Sequence, residues 1–111
     1  MQSTNCQQHL VARAFAKLLR AISHRHRILI LVELSSGERD VSSLSNAIGI
    51  SQAWMSQHLM RLRAHRLLID RREGHRVYYR LIDPFIASWL VQALALMKPV
   101  GDDSSTKVDA R

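Results

Sequence analysis

Apolar residues recur at helical spacing in five stretches of this chain, and at strand spacing in one. Val11, Phe15, Leu18 and Ile22 make a first stripe, widened by Leu10, Ala14 and Leu19, while Arg13, Lys17 and Arg20 take the wet side. This predicts a helix over Gln8–Ile22. The run ILILVEL is apolar nearly all round, so a second helix, capped by Ser23 and reaching about Leu34, belongs at the centre of the core. SSGERD, Ser35 to Asp40, reads as a turn with Gly37 as its breaker.

Val41, Leu44 and Ile48 then line one face of a short third helix, and Gly49 supplies the positive φ that ends it sharply. Ser51 is placed to cap a fourth helix, Ser51–Ala64, whose buried face is Met55, Leu59 and Leu62. Its other face carries Gln52, Trp54, Ser56, Gln57, His58 and Arg61, amides, hydroxyls and cations with no acid among them. After His65, Val77, Tyr79 and Leu81 alternate with Arg76, Tyr78 and Arg80, the period of a strand with one face inward. Glu73-Gly74-His75 forms the tip of a two-stranded hairpin. Asp83-Pro84 opens the last helix, with Phe85, Trp89 and Ala93 as one stripe and Ile86, Leu90, Leu94 and Met97 as another. Pro99 and Gly101 stop it. The sum is a mainly α winged helix-turn-helix of five helices plus a two-stranded wing. It occupies one domain over 8–98, with flexible tails at 1–7 and 99–111.

Charge sharpens this picture. The 111 residues hold 16 Lys+Arg against 9 Asp+Glu, a formal net charge of +7. From Arg61 to Arg80 there are seven arginines (61, 63, 66, 71, 72, 76 and 80) against Asp70 and Glu73, a local excess of five. Arginine forks match phosphate and guanine, so double-stranded DNA is the expected partner, ahead of a membrane surface. The hairpin tip, flanked by Arg71, Arg72, His75 and Arg76, suits a phosphate backbone or the edge of a minor groove. The terminal helices hold more large apolar groups than one small core needs. Val11, Phe15, Leu18, Phe85, Trp89, Leu90, Ala93, Leu94 and Met97 are therefore expected to form a two-fold homodimer interface.

Other classes find little support. Cys6 is the only cysteine, so no intramolecular disulfide forms, which suits a reducing cytoplasm; the thiol is expected to be inert. No apolar run approaches a membrane span, and the N-terminus lacks a signal peptide's apolar core. No Gly-rich phosphate loop, nucleophile elbow or metal triad argues for an enzyme. The alternative to a sequence-specific regulator is an architectural DNA-binding protein using the same basic surface.

Three segments, AISHRHRILILVEL, LSNAIGISQAWMSQHLMRLRAHRLL and RREGHRVYYRL, resemble the ArsR family of bacterial winged-helix repressors over Leu18 to Leu96. SQxxxSQHLxxLR is most similar to metal-independent members related to nodulation and hemolysin regulators. The resemblance implies a homodimer that binds an imperfect inverted repeat in a promoter and blocks transcription. It implies contacts to bases or nearby phosphates from Ser51, Gln52, Ala53, Ser56, Gln57 and His58, with Arg61 on the same face. Trp54 stands where relatives carry a small residue; packing against the preceding helix is expected, ahead of contact with a thymine methyl. The resemblance also implies where metal sites would lie, and this sequence departs from each. Asp40 and Ser42 replace a Cys-x-Cys pair. On the last helix Asp83 is present, but Phe85, Leu96 and Pro99 replace the other ligands. A persulfide sensor needs two cysteines. Six histidines remain. His24 and His26, two apart, should diverge on a helix, and His58 and His65 could share a face, with His58 on the DNA side. Solvated or phosphate-contacting histidines are expected, with no metal and no cofactor. The sequence does not reveal the inducing signal.

Overall fold

Helix α2 (Arg25–Leu34) is the hub: Ile30, Leu31 and Leu34 are all buried in the hydrophobic core. The computed structural model describes residues 5–97; Pro99, Gly101 and the tail over 99–111 lie outside them. Around α2 stand α1 (Cys6–Ile22), β1 (Arg39–Asp40), α3 (Val41–Ile48), α4 (Gln52–Ala64), β2 (Leu68–Glu73), β3 (Arg76–Leu81) and α5 (Phe85–Leu96). Leu44 of α3, Met55, Leu59 and Leu62 of α4, Leu68, Tyr79 and Leu81 of the sheet, and Ala87 and Leu90 of α5 close over it. Neighbours on several sides cover most of the apolar run ILILVEL, but Leu29 remains exposed, so the run is not buried all round. Truncating any of the fully buried leucines would cost roughly 2–5 kcal/mol.

Several boundaries differ from the sequence reading, each for a local reason. Helix α1 begins at Cys6, two residues before Gln8, because Asn5 and Gln8 form a capping box. The Gln8 amide N–H donates to Asn5 Oδ1 at 2.8 Å, and the Asn5 N–H donates to Gln8 Oε1 at 3.1 Å. Ser23 does not cap α2. It closes α1, and His24 is the N-cap, its Nδ1 accepting the His26 amide at 3.1 Å. The sheet has three strands in the order β1-β3-β2, because Arg39 and Asp40 leave the turn and pair with Tyr79 and Tyr78. The wing itself pairs Leu68 with Leu81 and Glu73 with Arg76, and Gly74 turns the corner at φ 62°. Inward alternation holds: Tyr79 and Leu81 are buried and Val77 half-buried. At α5 the N-cap is Pro84, not Asp83; Asp83 stands one residue earlier, and its Oδ1 accepts the Phe85 amide at 3.0 Å.

Helix α4 ends in an unusual residue. Arg66 lies at φ 61°, the left-handed region that glycine favours. Its N–H donates to the Arg63 carbonyl at 2.9 Å, and the Leu67 N–H reaches back to the Leu62 carbonyl at 3.1 Å. Those two bonds and the buried Leu62 and Leu67 complete a Schellman cap that turns the chain directly into β2.

Candidate nucleic-acid interface

The turn between α3 and α4 is built as its residues predict. Gly49 sits at φ 82°, and the Ser51 hydroxyl accepts the Trp54 amide at 3.2 Å. With Met55, Leu59 and Leu62 fixed in the core, Ser51, Gln52, Ala53, Ser56, Gln57 and Arg61 all face outward and are exposed. Gln52 is steadied by a bond from its Nε2 to Ser42 Oγ at 3.3 Å. One concavity joins this helix to the wing, lined on one side by Gln52 and Ser56 and on the other by His75 and Arg76. Helix and hairpin tip thus border one groove, which Asp40, Val41, Ser42 and Val77 also line.

His58 is not on this face. It is 5% exposed and turned toward α2, where its Nδ1 accepts the Nε–H of Arg27 at 3.1 Å. Position explains the correction: His58 lies three residues after Met55, one step from Leu59, and so falls on the buried side of α4. Burial, then the charges of His24, Arg27, His26 and Arg61, push its pKa below the ordinary histidine value. Burial also lowers His26, helped by His24 and Arg25. Trp54 reverses expectation in the other direction. It is 65% exposed and packs little, standing out of α4 beside Ser51, Ala53 and Gln57.

The wing arginines are not equivalent. Arg71 donates from Nε and Nη2 to both oxygens of Glu38, from Nη1 to Glu73, and lies 4.4 Å from the ring centre of Tyr78. The hydrogen bond from Arg71 holds Glu38 below the usual carboxylate range, and the two carboxylates raise Arg71 further above its ordinary value. Arg72, His75 and Arg76 are exposed at the tip. Arg63 pairs with Asp70 at 3.1 Å, joining the end of α4 to β2.

Sequence comparison agrees with this geometry. Residues 24–70 match the model for bacterial regulatory proteins of the arsR family. A nodulation protein of Rhizobium meliloti, NolR, is 38% identical over 79 residues, covering 71% of this chain and 65% of that protein. A biofilm growth-associated repressor of Xylella fastidiosa is 37% identical over 83 residues, covering 75% of this chain and 72% of the repressor. The chain belongs to the ArsR family. The solved structure of the Xylella fastidiosa repressor BigR superposes with a TM-score of 0.74 at 30% identity, over 85% of this chain and 96% of that one. This chain spans less than two thirds (65%) of the length of the nodulation protein it matches.

The ArsR-family chain has a second surface, built by α1 and α5. Phe15 and Trp89 meet edge to face, ring centres 6.1 Å apart, and join the two helices. Around them Val11, Phe85, Leu94 and Met97 are exposed, Phe85 by 77% and Met97 by 76%. Ala93 is exposed and Leu18 half-buried. Leu90, assigned to the interface from its stripe, instead faces inward at 8% exposure, because α5 rolls that edge onto α2. Leu10, named in the first stripe, and Leu96 are also exposed and extend this apolar area.

His24 and His26 do not diverge. His24 is extended (φ −158°, ψ 130°), not helical, so the argument that His24 and His26 diverge does not apply. Their rings lie 5.2 Å apart, and His24 lies 4.6 Å from His58. The available signal was the capping position itself, which histidine fills here with a ring nitrogen.

Proposed function

We propose that this ArsR-family protein is a homodimeric, sequence-specific DNA-binding transcriptional regulator that represses by occupying an imperfect inverted repeat in a promoter. The observation that carries the reading is the shared groove: an acid-free amide and hydroxyl face on α4 beside a cationic wing tip. Helix α4 enters the major groove, where Gln52 and Gln57 can each donate to and accept from an adenine edge. Ser51, Ala53, Ser56 and Arg61 complete the helix contacts, while Arg72, His75 and Arg76, with Arg71 behind them, follow the phosphates. The exposed apolar face of α1 and α5 supports a two-fold dimer, which would set two α4 helices about 34 Å apart, one turn of duplex. Regulation without the metal positions named from the family resemblance also belongs to this reading, as does action in the cytoplasm, where the DNA lies. Among the described residues no helix is long and apolar enough to cross a membrane.

Fluorescence anisotropy against DNA from the protein's own upstream region, across a salt series and with random competitor, tests the proposal. Binding at two chains per inverted repeat that resists competitor by a factor on the order of a thousand or more is expected. Equal competition by random DNA would replace it with the architectural reading.

A further inference from the structure

His24, His26 and His58 converge between the start of α2 and the buried side of α4. One ring nitrogen of each can be chosen so that all three lie within 4.8 Å of one another, the one such group among the described residues. The rings of His26 and His58 lie 5.7 Å apart, and the three histidines share a pocket with Ile50 and Trp54. The ligands come from two elements: His24 and His26 open α2, and His58 lies on α4. A tetrahedral ion with nitrogen ligands at 2.0–2.1 Å needs those nitrogens about 3.4 Å apart. His24 is exposed and His26 half-exposed, so neither ring is locked by packing and both have room to turn toward the buried His58. Imidazole donors suit zinc, copper, nickel and cobalt, and the cluster contains neither a thiolate nor a carboxylate to favour other ions. Three protein ligands would leave a fourth position for water or a small anion.

The present hydrogen bonds add a condition. His58 Nδ1 accepts from Arg27, and His24 Nδ1 accepts from the His26 amide. A neutral imidazole has one acceptor nitrogen, so Nε2 of each ring carries the proton. An ion therefore either takes Nδ1 and displaces the donor, or takes Nε2 after the proton has moved to Nδ1, where it faces another N–H. Either route parts Arg27 from His58. Arg27 also donates to the Ala21 carbonyl at 2.8 Å, so it joins the end of α1 to α4.

We propose that His24, His26 and His58 bind one divalent first-row transition ion of the cobalt-to-zinc group, and that loading the ion breaks the Arg27–His58 hydrogen bond. This proposal stands independently of how the protein reads DNA.

The test uses tag-free, chelator-treated full-length protein titrated with Co(II) by visible absorption and with Zn(II) against a chromophoric chelator. One ion per chain is expected, with tetrahedral d–d bands and no thiolate charge-transfer band. His24→Asn keeps a capping side chain and His26→Gln alters a half-exposed ring, so both variants should fold. Each should weaken Co(II) and Zn(II) by more than the roughly 10–100-fold that loss of an outer-shell partner costs. In 15N spectra the Arg27 Nε–H resonance should shift when Zn(II) is added. Absence of stoichiometric binding, or binding undiminished in either variant, would overturn the site. An Arg27 resonance unmoved by bound Zn(II) would overturn the coupling.

Discussion

Arg71 on β2 holds both carboxylate oxygens of Glu38 in a fork, at 2.9 and 2.8 Å, and so ties the wing to the loop before β1. An arginine already forked to a carboxylate is less free to neutralise a phosphate than its neighbours at the tip. Arg76→Ala should therefore weaken DNA binding more than Arg71→Ala at every salt concentration. Glu38→Gln, which releases Arg71, should strengthen binding and steepen the slope of log K against log salt by about 0.9, one added phosphate contact. A salt series on the three variants measures all of this. Equal losses for the two alanine variants would show that the fork opens on DNA.

Gln57 is exposed on α4 with no hydrogen-bonding partner among the described residues, whereas Gln52 is tethered to Ser42. Gln57→Ala should cost roughly 1–3 kcal/mol against the operator while leaving affinity for random DNA almost unchanged. Competition anisotropy separates the two. The same fractional loss on both DNAs would make Gln57 a phosphate contact.

The apolar face of α1 and α5 predicts an effect on assembly that leaves the fold intact. Phe85 is 77% exposed, so Phe85→Glu removes no core packing. Sedimentation should show a shift from dimer to monomer with an unchanged far-ultraviolet spectrum, and operator affinity should fall steeply. A variant that remains dimeric would move the interface away from the start of α5.

Arg66 should be replaceable with a gain. Its left-handed conformation costs a side-chain-bearing residue about 1–2 kcal/mol that glycine avoids. Glycine gives part of this back through the greater freedom of the unfolded chain. Arg66→Gly should thus raise unfolding free energy by up to about 1 kcal/mol in urea titrations, with the denaturant slope unchanged. A loss of stability would mean that the arginine side chain itself holds the α4–β2 corner.

How much of this was legible in the sequence depended on which force fixed each residue. Helices α2 to α5, the Gly49 turn, the Ser51 cap and the alternation along β3 follow from local spacing and local hydrogen bonds, and all are present. The misreadings occur where side-chain polarity stood in for position. His58 looked polar and was given to the wet face, although its place between Met55 and Leu62 on the helix turns it inward. Trp54 looked apolar and was packed away, although the same periodicity turns it out. Strand β1 is two residues long and exists only because Tyr78 and Tyr79 offer it a partner from far along the chain, so no window around Arg39 could disclose it. The assembly of His24, His26 and His58 has the same origin. It needs a cap conformation and a helix crossing that spacing alone does not encode.

Strand β1 leads straight into α3, since Asp40 pairs with Tyr78 and Val41 begins the helix. This leaves no slack between the hairpin and the pair of helices beside it: they behave as the two jaws of a caliper whose opening is set by backbone ladder bonds. Compliance on contact must then come from the duplex. Among sites offering identical bases to α4, those with easily bent pyrimidine–purine steps beneath the hairpin should be held more tightly than stiff A-tracts, so that selectivity extends to positions no side chain reaches.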